Sequence, residues 1–140
     1  MRRLLLLTGL ACVLSVSAVF AQPQAPAQPA KYVPPVKGLA TIDVIQGASK
    51  RVGTDMVTVL KVKNTSKGSI NLLKADEYWY DKGMKIVSTS QYVNTKGPIL
   101  PGAIIEITLR AVAKPGAQQN QVLFRHANGD VKATPVKVFK

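Results

Sequence analysis

The sequence predicts an all-β domain, an antiparallel two-sheet sandwich of about seven strands, and three observations carry that prediction. Val, Ile, Thr and Tyr recur from Leu39 to the C terminus. Gly, Pro or Asn interrupts them about every ten to fifteen residues, the spacing of short strands. Within the runs, apolar and polar side chains alternate, as they do on a strand with one face buried. Roughly a hundred residues lie in this region, which suits a single core.

What precedes it reads as export and spacer. Met1-Arg2-Arg3 leads into an apolar stretch from Leu4 to Phe20 that ends in Val19-Phe20-Ala21. This is the pattern of a secretory signal peptide over residues 1–21, cleaved after Ala21. A retained membrane span fits less well, because Thr8, Gly9, Ser15 and Ser17 interrupt a stretch already short for a bilayer. A lipoprotein cleaved before Cys12 would need Leu where Gly9 stands. Loss of the signal removes the only cysteine, so disulfides, thiolate nucleophiles and cysteine metal ligands are excluded. Gln22 to Ala30 holds only Gln, Pro and Ala, and Pro34-Pro35 follows. Residues 22–37 are therefore expected to form an extended linker, with the folded domain over 38–140. The expected location is periplasmic or secreted, with no span in the mature chain.

The elements follow in order. Leu39 to Gln46 gives a first strand, and Met56 to Asn64 a second, in which Thr58, Leu60 and Val62 alternate with Val59, Lys61 and Lys63 and the lysines face water. Asn64-Thr65-Ser66-Lys67-Gly68 is a turn whose side chains bond to the backbone. The same Asn-Thr-Ser is a glycosylation acceptor pattern, a weaker reading of the same residues. Ile70 to Asp81 is open to two readings. Asn71 could cap a helix with Leu72, Ala75 and Trp79 on one face, or Leu73, Ala75 and Trp79 could point inward from a strand with Glu77 in the same row. Asp81-Lys82-Gly83 turns the chain into Lys85 to Val93. After the loop Lys96 to Gly102 comes the cleanest alternation: Ile105, Ile107 and Leu109 inward, Glu106, Thr108 and Arg110 outward. Gln121 to Ala127 and Asp130 to Phe139 then form a terminal hairpin through Asn128-Gly129, with Pro135 marking an edge or a bulge.

Val59 to Asn64 entering a turn, the run Tyr80-Asp81-Lys82-Gly83, and Leu100-Pro101-Gly102 before an alternating strand occur in that order. Together they resemble the FxLYD domain and related immunoglobulin-like modules of exported bacterial proteins, over about Val57 to Leu109. The resemblance implies an immunoglobulin-like antiparallel sandwich, with Ile70 to Asp81 as a strand and Trp79 between the sheets. Trp79 stands where the family has leucine, and Glu77 where it has phenylalanine. No activity is implied, because the family is defined by a scaffold. The expected structural core is Leu60, Val62, Trp79, Ile105, Ile107 and Leu109.

Catalytic constellations are scarce. His126 is the only histidine and adjoins a turn, where it is expected to face solvent. A methionine-histidine copper site from Met56, Met84 and His126 lacks supporting spacing. No G-x-S-x-G elbow accompanies His126 and Asp130, and no phosphate-cradling glycine loop is present. Asp76 and Glu77 are strand neighbours, so they point to opposite faces and cannot work as a general acid and base pair. No enzyme activity, cofactor, metal or small-molecule substrate is expected. The formal charge of +12 comes mainly from scattered lysines, which suit solvated surface and edge protection. The expected function is a non-enzymatic, exported interaction module, an accessory or structural component of the bacterial envelope with a protein partner. The alternative is a basic module binding an anionic polymer (polysaccharide, lipopolysaccharide or nucleic acid) through Lys61, Lys63, Lys132 and Lys137.

Overall fold

A computed structural model describes residues 31–140. The expected signal peptide, Cys12 and the segment Gln22 to Ala30 of the expected linker lie outside the described residues. Eight strands make up the fold: β1 (Ala40–Gln46), β2 (Lys50–Val52), β3 (Asp55–Asn64), β4 (Lys74–Tyr80), β5 (Ile86–Val93), β6 (Ile104–Val112), β7 (Gln119–His126) and β8 (Gly129–Pro135). They form one curled, mixed sheet in the order β2-β3-β1-β8-β7-β4-β5, with β6 on the other edge of β3. The all-β class is as expected, with eight strands where seven were expected. The extra one, β2, is three residues long and pairs Lys50 to Val52 with Val57 to Asp55. With no apolar alternation of its own, it left no periodic signal.

The inward row of each strand builds one core. Ala40, Ile42 and Val44 of β1, Leu60 and Val62 of β3, Leu73 and Ala75 at β4, Ile107 and Leu109 of β6 and Phe124 of β7 are buried together. Ile105 is partly buried against them, and Trp79 is 5% exposed. Burial of such rows supplies the main driving force, at about 25 cal/mol per Å² of apolar surface. Ile70 to Asp81 contains a strand and no helix: β4 lies between β5 and β7, paired to both from Lys74 to Tyr80. The register is regular at Glu77, and a shift occurs only between Trp79 and Tyr80.

Three local expectations need correction. The sheet is mixed, because β8 runs parallel to β1, from Ala40↔Val131 to Val44↔Pro135. Residues 47–128, which include six other strands, separate these two strands, so a parallel pairing demands no tight crossover. The terminal hairpin turns on Ala127 and Asn128, with only Gly129 taking positive φ, at 151°. A Cβ on Gly129 would lie 2.6 Å from the Gly38 carbonyl oxygen, so close backbone approach fixes glycine there. In the turn after β4 the left-handed residue is Met84 (φ 61°), held because the Asp81 carboxyl accepts the N–H groups of Gly83 and Lys85. Met84 itself is exposed.

Pro34 and Val36, in the described end of the expected linker, are hydrogen-bonded to the fold. Val36 N–H donates to Ser69 C=O, Ser69 N–H to Pro34 C=O, and Asn128 Nδ2 to Val36 C=O.

Candidate functional site

The polar side chains available for chemistry converge on β4, because its two faces carry Glu77 and Asp76 in succession. Glu77 points inward and is fully buried. Its Oε1 accepts from Thr58 Oγ1 and Asn120 Nδ2, both at 2.8 Å, and its Oε2 accepts from Ser90 Oγ at 2.7 Å. Thr58 also meets Ser49 Oγ at 2.7 Å, and Asn120 Oδ1 accepts from Gln46 Nε2 at 3.3 Å. The carboxyl group therefore gathers donors from β3, β5 and β7. An unpartnered buried carboxyl group would be strongly destabilising, whereas three donors make it a crosslink. No lysine reaches it. Trp79, two residues further in the same row, keeps its buried Nε1 without a protein partner among the described residues.

Asp76 faces the other way and is also nearly buried. Gln91 Nε2 donates to its Oδ1 and the Arg125 guanidinium to its Oδ2, both at 2.6 Å. Burial opposes ionisation of Asp76, but the bonds from Gln91 and Arg125 and the positive charges of Arg125 and Lys74 outweigh it and lower its pKa. His126, expected at the surface, is instead 8% exposed. Its Nε2 donates to the Gly38 carbonyl at 2.6 Å, and Nδ1 accepts from Asn128 N–H. The β7–β8 turn folds back over the entry to β1 and buries the ring. Among the described residues, no group of three or more His, Cys, Asp or Glu side chains is arranged to hold a metal ion. Nor is any helix there long and apolar enough to cross a membrane.

The candidate anion-binding lysines are partly brought together. Lys63 lies opposite Asp43, Lys61 opposite Ile45, and Lys132 opposite Thr41. Laterally paired residues share a face, so Lys61, Lys63 and Lys132 point from the outer face of the β8-β1-β3 region. Acids interrupt them: Glu106 stands opposite Lys61 on β6, and Asp43 beside Lys63. Lys137 follows β8 outside the ladder, and Lys63 Nζ donates to the Lys140 carbonyl.

Sequence reasoning missed the remaining candidate. β7 pairs with β4 along Gln119 to Arg125 but with β8 only at Arg125↔Asp130 and His126↔Gly129. Beyond Asp130, β8 has moved across to β1. A cleft of about 540 Å³ opens alongside, lined by residues that include Tyr78, Val122, Phe124, Val131 and Ala133. The conflict between a two-residue turn and a Pro-containing last strand was the only sequence signal for it.

No protein-family model and no curated protein matches the chain. Among solved structures, IrmA from Escherichia coli superposes with a TM-score of 0.50 at 9% identity, covering 72% of this chain and 95% of that one. That likeness concerns fold alone.

Proposed function

We propose that this chain is an exported, non-enzymatic module of the FxLYD immunoglobulin-like kind that acts by contact, as an accessory or structural component of a bacterial envelope. The observation that carries the reading is the engagement of Glu77, Asp76 and His126 with partners inside the fold. Each of these three groups serves architecture, and the reading takes backbone edges and surface side chains as the means of interaction. The immunoglobulin-like sandwich is part of the same proposal. In its favour, β6-β3-β1 and β7-β4-β5 form two antiparallel sets. The Thr58–Glu77 bond also joins β3 to β4, strands that share no ladder. Asn64 supports the family reading: it accepts from Ser66 N–H and donates from Nδ2 to Gly68 and Ile99, while its backbone holds Gly102 and Ala103 of the Leu-Pro-Gly loop.

The deciding experiment is photo-crosslinking of the chain in its native envelope, followed by capture. Recovery of one stoichiometric protein partner is the expected result, and a chain that crosslinks to none removes the contact reading. The shared outward face of Lys61, Lys63 and Lys132 favours a second reading, an anionic-polymer binder. That reading expects heparin retention whose salt dependence weakens when these three lysines are replaced by glutamine. Elution at low salt, unaltered by the substitutions, removes it.

A further inference from the structure

We propose that β7 accepts an added strand: an extended, acidic segment of a partner polypeptide pairs with the open edge of β7 over Gln119 to Phe124, in the cleft beside β8. This rests on the contact reading above and deepens it by naming the site and the chemistry of what occupies it.

The first support is the direction of the backbone groups. Ala127 N–H donates to the Asn71 carbonyl, on the side of β4. Antiparallel strands turn alternate residues to alternate edges. Residues 119, 121, 123 and 125 therefore address β4, while Asn120 and Val122 direct N–H and C=O away from it. On that side the ladder to β8 has ended. Among the described residues this leaves a row of donors and acceptors without a ladder partner, which is a template for strand addition.

The second support is position and shape. β5 simply ends the sheet order, but β7 lies within it, between β4 and the first residues of β8. The gap left by β8 is a walled cleft, with Val122 and Phe124 on one side and Val131 and Ala133 on the other. An added strand would place alternate side chains against that apolar lining and the intervening ones toward Tyr78 and Arg125.

Charge selects the occupant. Without residues 1–21, which hold Arg2, Arg3 and no acidic residue, the chain carries a formal +10, and its field favours acidic partners. Asp76, Asp130 and Arg125 line the cleft, with Asp76 already bonded to Arg125, and Lys74, opposite Arg125, and Lys132, two residues beyond Asp130, flank them outside the lining. A second copy would bring the same positive charge to the edge. The chain's own Gln22 to Ala30 segment has proline at 23, 26 and 29, so it lacks the N–H groups a strand must offer.

The test titrates the purified chain with three eight-residue peptides while its backbone amides are followed by NMR. One alternates valine with glutamate, one alternates valine with lysine, and the third is the glutamate peptide with its pairing amides N-methylated. The glutamate peptide is expected to bind, shifting and protecting the amides of Asn120 and Val122. The lysine peptide is expected to bind at least about tenfold more weakly, and the methylated one not at all. Val122→Pro, which removes one edge donor, is expected to abolish binding while the chain melts cooperatively. If that variant does not fold, the methylated peptide makes the same cut. Absence of binding, equal affinity for the lysine peptide, retained binding after methylation, or shifts centred on Lys61 and Lys63 would each overturn the proposal. So would a concentration-dependent dimer that protects Asn120 and Val122, which would make a second copy the occupant. Peptide failure alongside a recovered envelope partner removes only the edge, whereas failure of the crosslinking removes the contact reading itself.

Discussion

β4 and β7 are paired along seven residues from Lys74↔Arg125 to Tyr80↔Gln119, yet β4 is paired along both edges and β7 along one edge and only the end of the other. β4 has a strand on each edge, a buried crosslink at Glu77 on its inner face and an ion pair at Asp76 on its outer face. β7 shares the inner network through Asn120 but ends its outer pairing at Arg125. Hydrogen-bonding capacity that a fold leaves unfilled is capacity for a partner. The same two strands therefore show where this protein is held together and where it can be joined.

The comparison breaks most completely at Trp79. Truncating it to alanine empties a large inward site on β4, which typically costs about 3–5 kcal/mol, a large part of a domain stability of about 5–15 kcal/mol. Urea denaturation of Trp79→Ala should show little cooperative transition, and an unchanged midpoint would remove β4 as the central strand. Trp79→Phe sharpens the point. Because Nε1 has no protein partner among the described residues, this variant loses ring volume without breaking a hydrogen bond to another described residue, and the expected loss is about 1–2 kcal/mol.

Glu77 gives the next largest effect. Glu77→Ala leaves the Asn120 amide without its acceptor and creates a void, while the Thr58 and Ser90 hydroxyls can rotate toward other acceptors. A loss of about 3 kcal/mol is expected. A double-mutant cycle with Thr58→Val should return a coupling of about 1 kcal/mol or more, and additive losses would mean that the bond between β3 and β4 contributes nothing of its own.

How far such features were legible depends on whether they lie in a pattern or in a partner. The inward rows of β3 and β6 repeat every second residue, so Leu60, Val62, Ile107 and Leu109 could be read from spacing alone. Glu77 could be placed in the inward row, but its stabilising partners come from three other strands, and no local pattern announces Asn120 or Ser90. Thr58 was the one available hint, a hydroxyl in an otherwise apolar row. His126 was misplaced for the same reason: burial came from Gly38, 88 residues away. The β7 edge was least legible, because it depends on where β8 goes after Asp130, a choice made by the non-local pairing with β1.

Asp76 offers a smaller test with a defined sign. Its folded pKa is lowered, so its contribution to stability is present above the ordinary carboxylate range and is lost as pH falls through the folded value, below about pH 4. Asp76→Asn should cost about 1 kcal/mol at pH 7, a modest figure because the Arg125 partner is exposed. It should also flatten the acid side of the stability curve. A variant whose stability still falls as steeply below pH 4 would show that the outer face of β4 is not closed by this pair.

The smallest expected effect tests the comparison most directly. Tyr78 and Val122 are both mid-strand, but the alternation directs Tyr78 N–H toward β7 and Val122 N–H toward the open edge. Proline at Tyr78 removes a ladder bond and should cost about 3 kcal/mol or more. Proline at Val122 removes a donor with no ladder partner, and strands tolerate proline where the N–H faces out, so a loss below about 1 kcal/mol is expected. Denaturation of the two variants side by side gives the difference. If Val122→Pro is as damaging as Tyr78→Pro, the edge of β7 is already filled within the chain, and the contrast between the closed strand and the open one disappears.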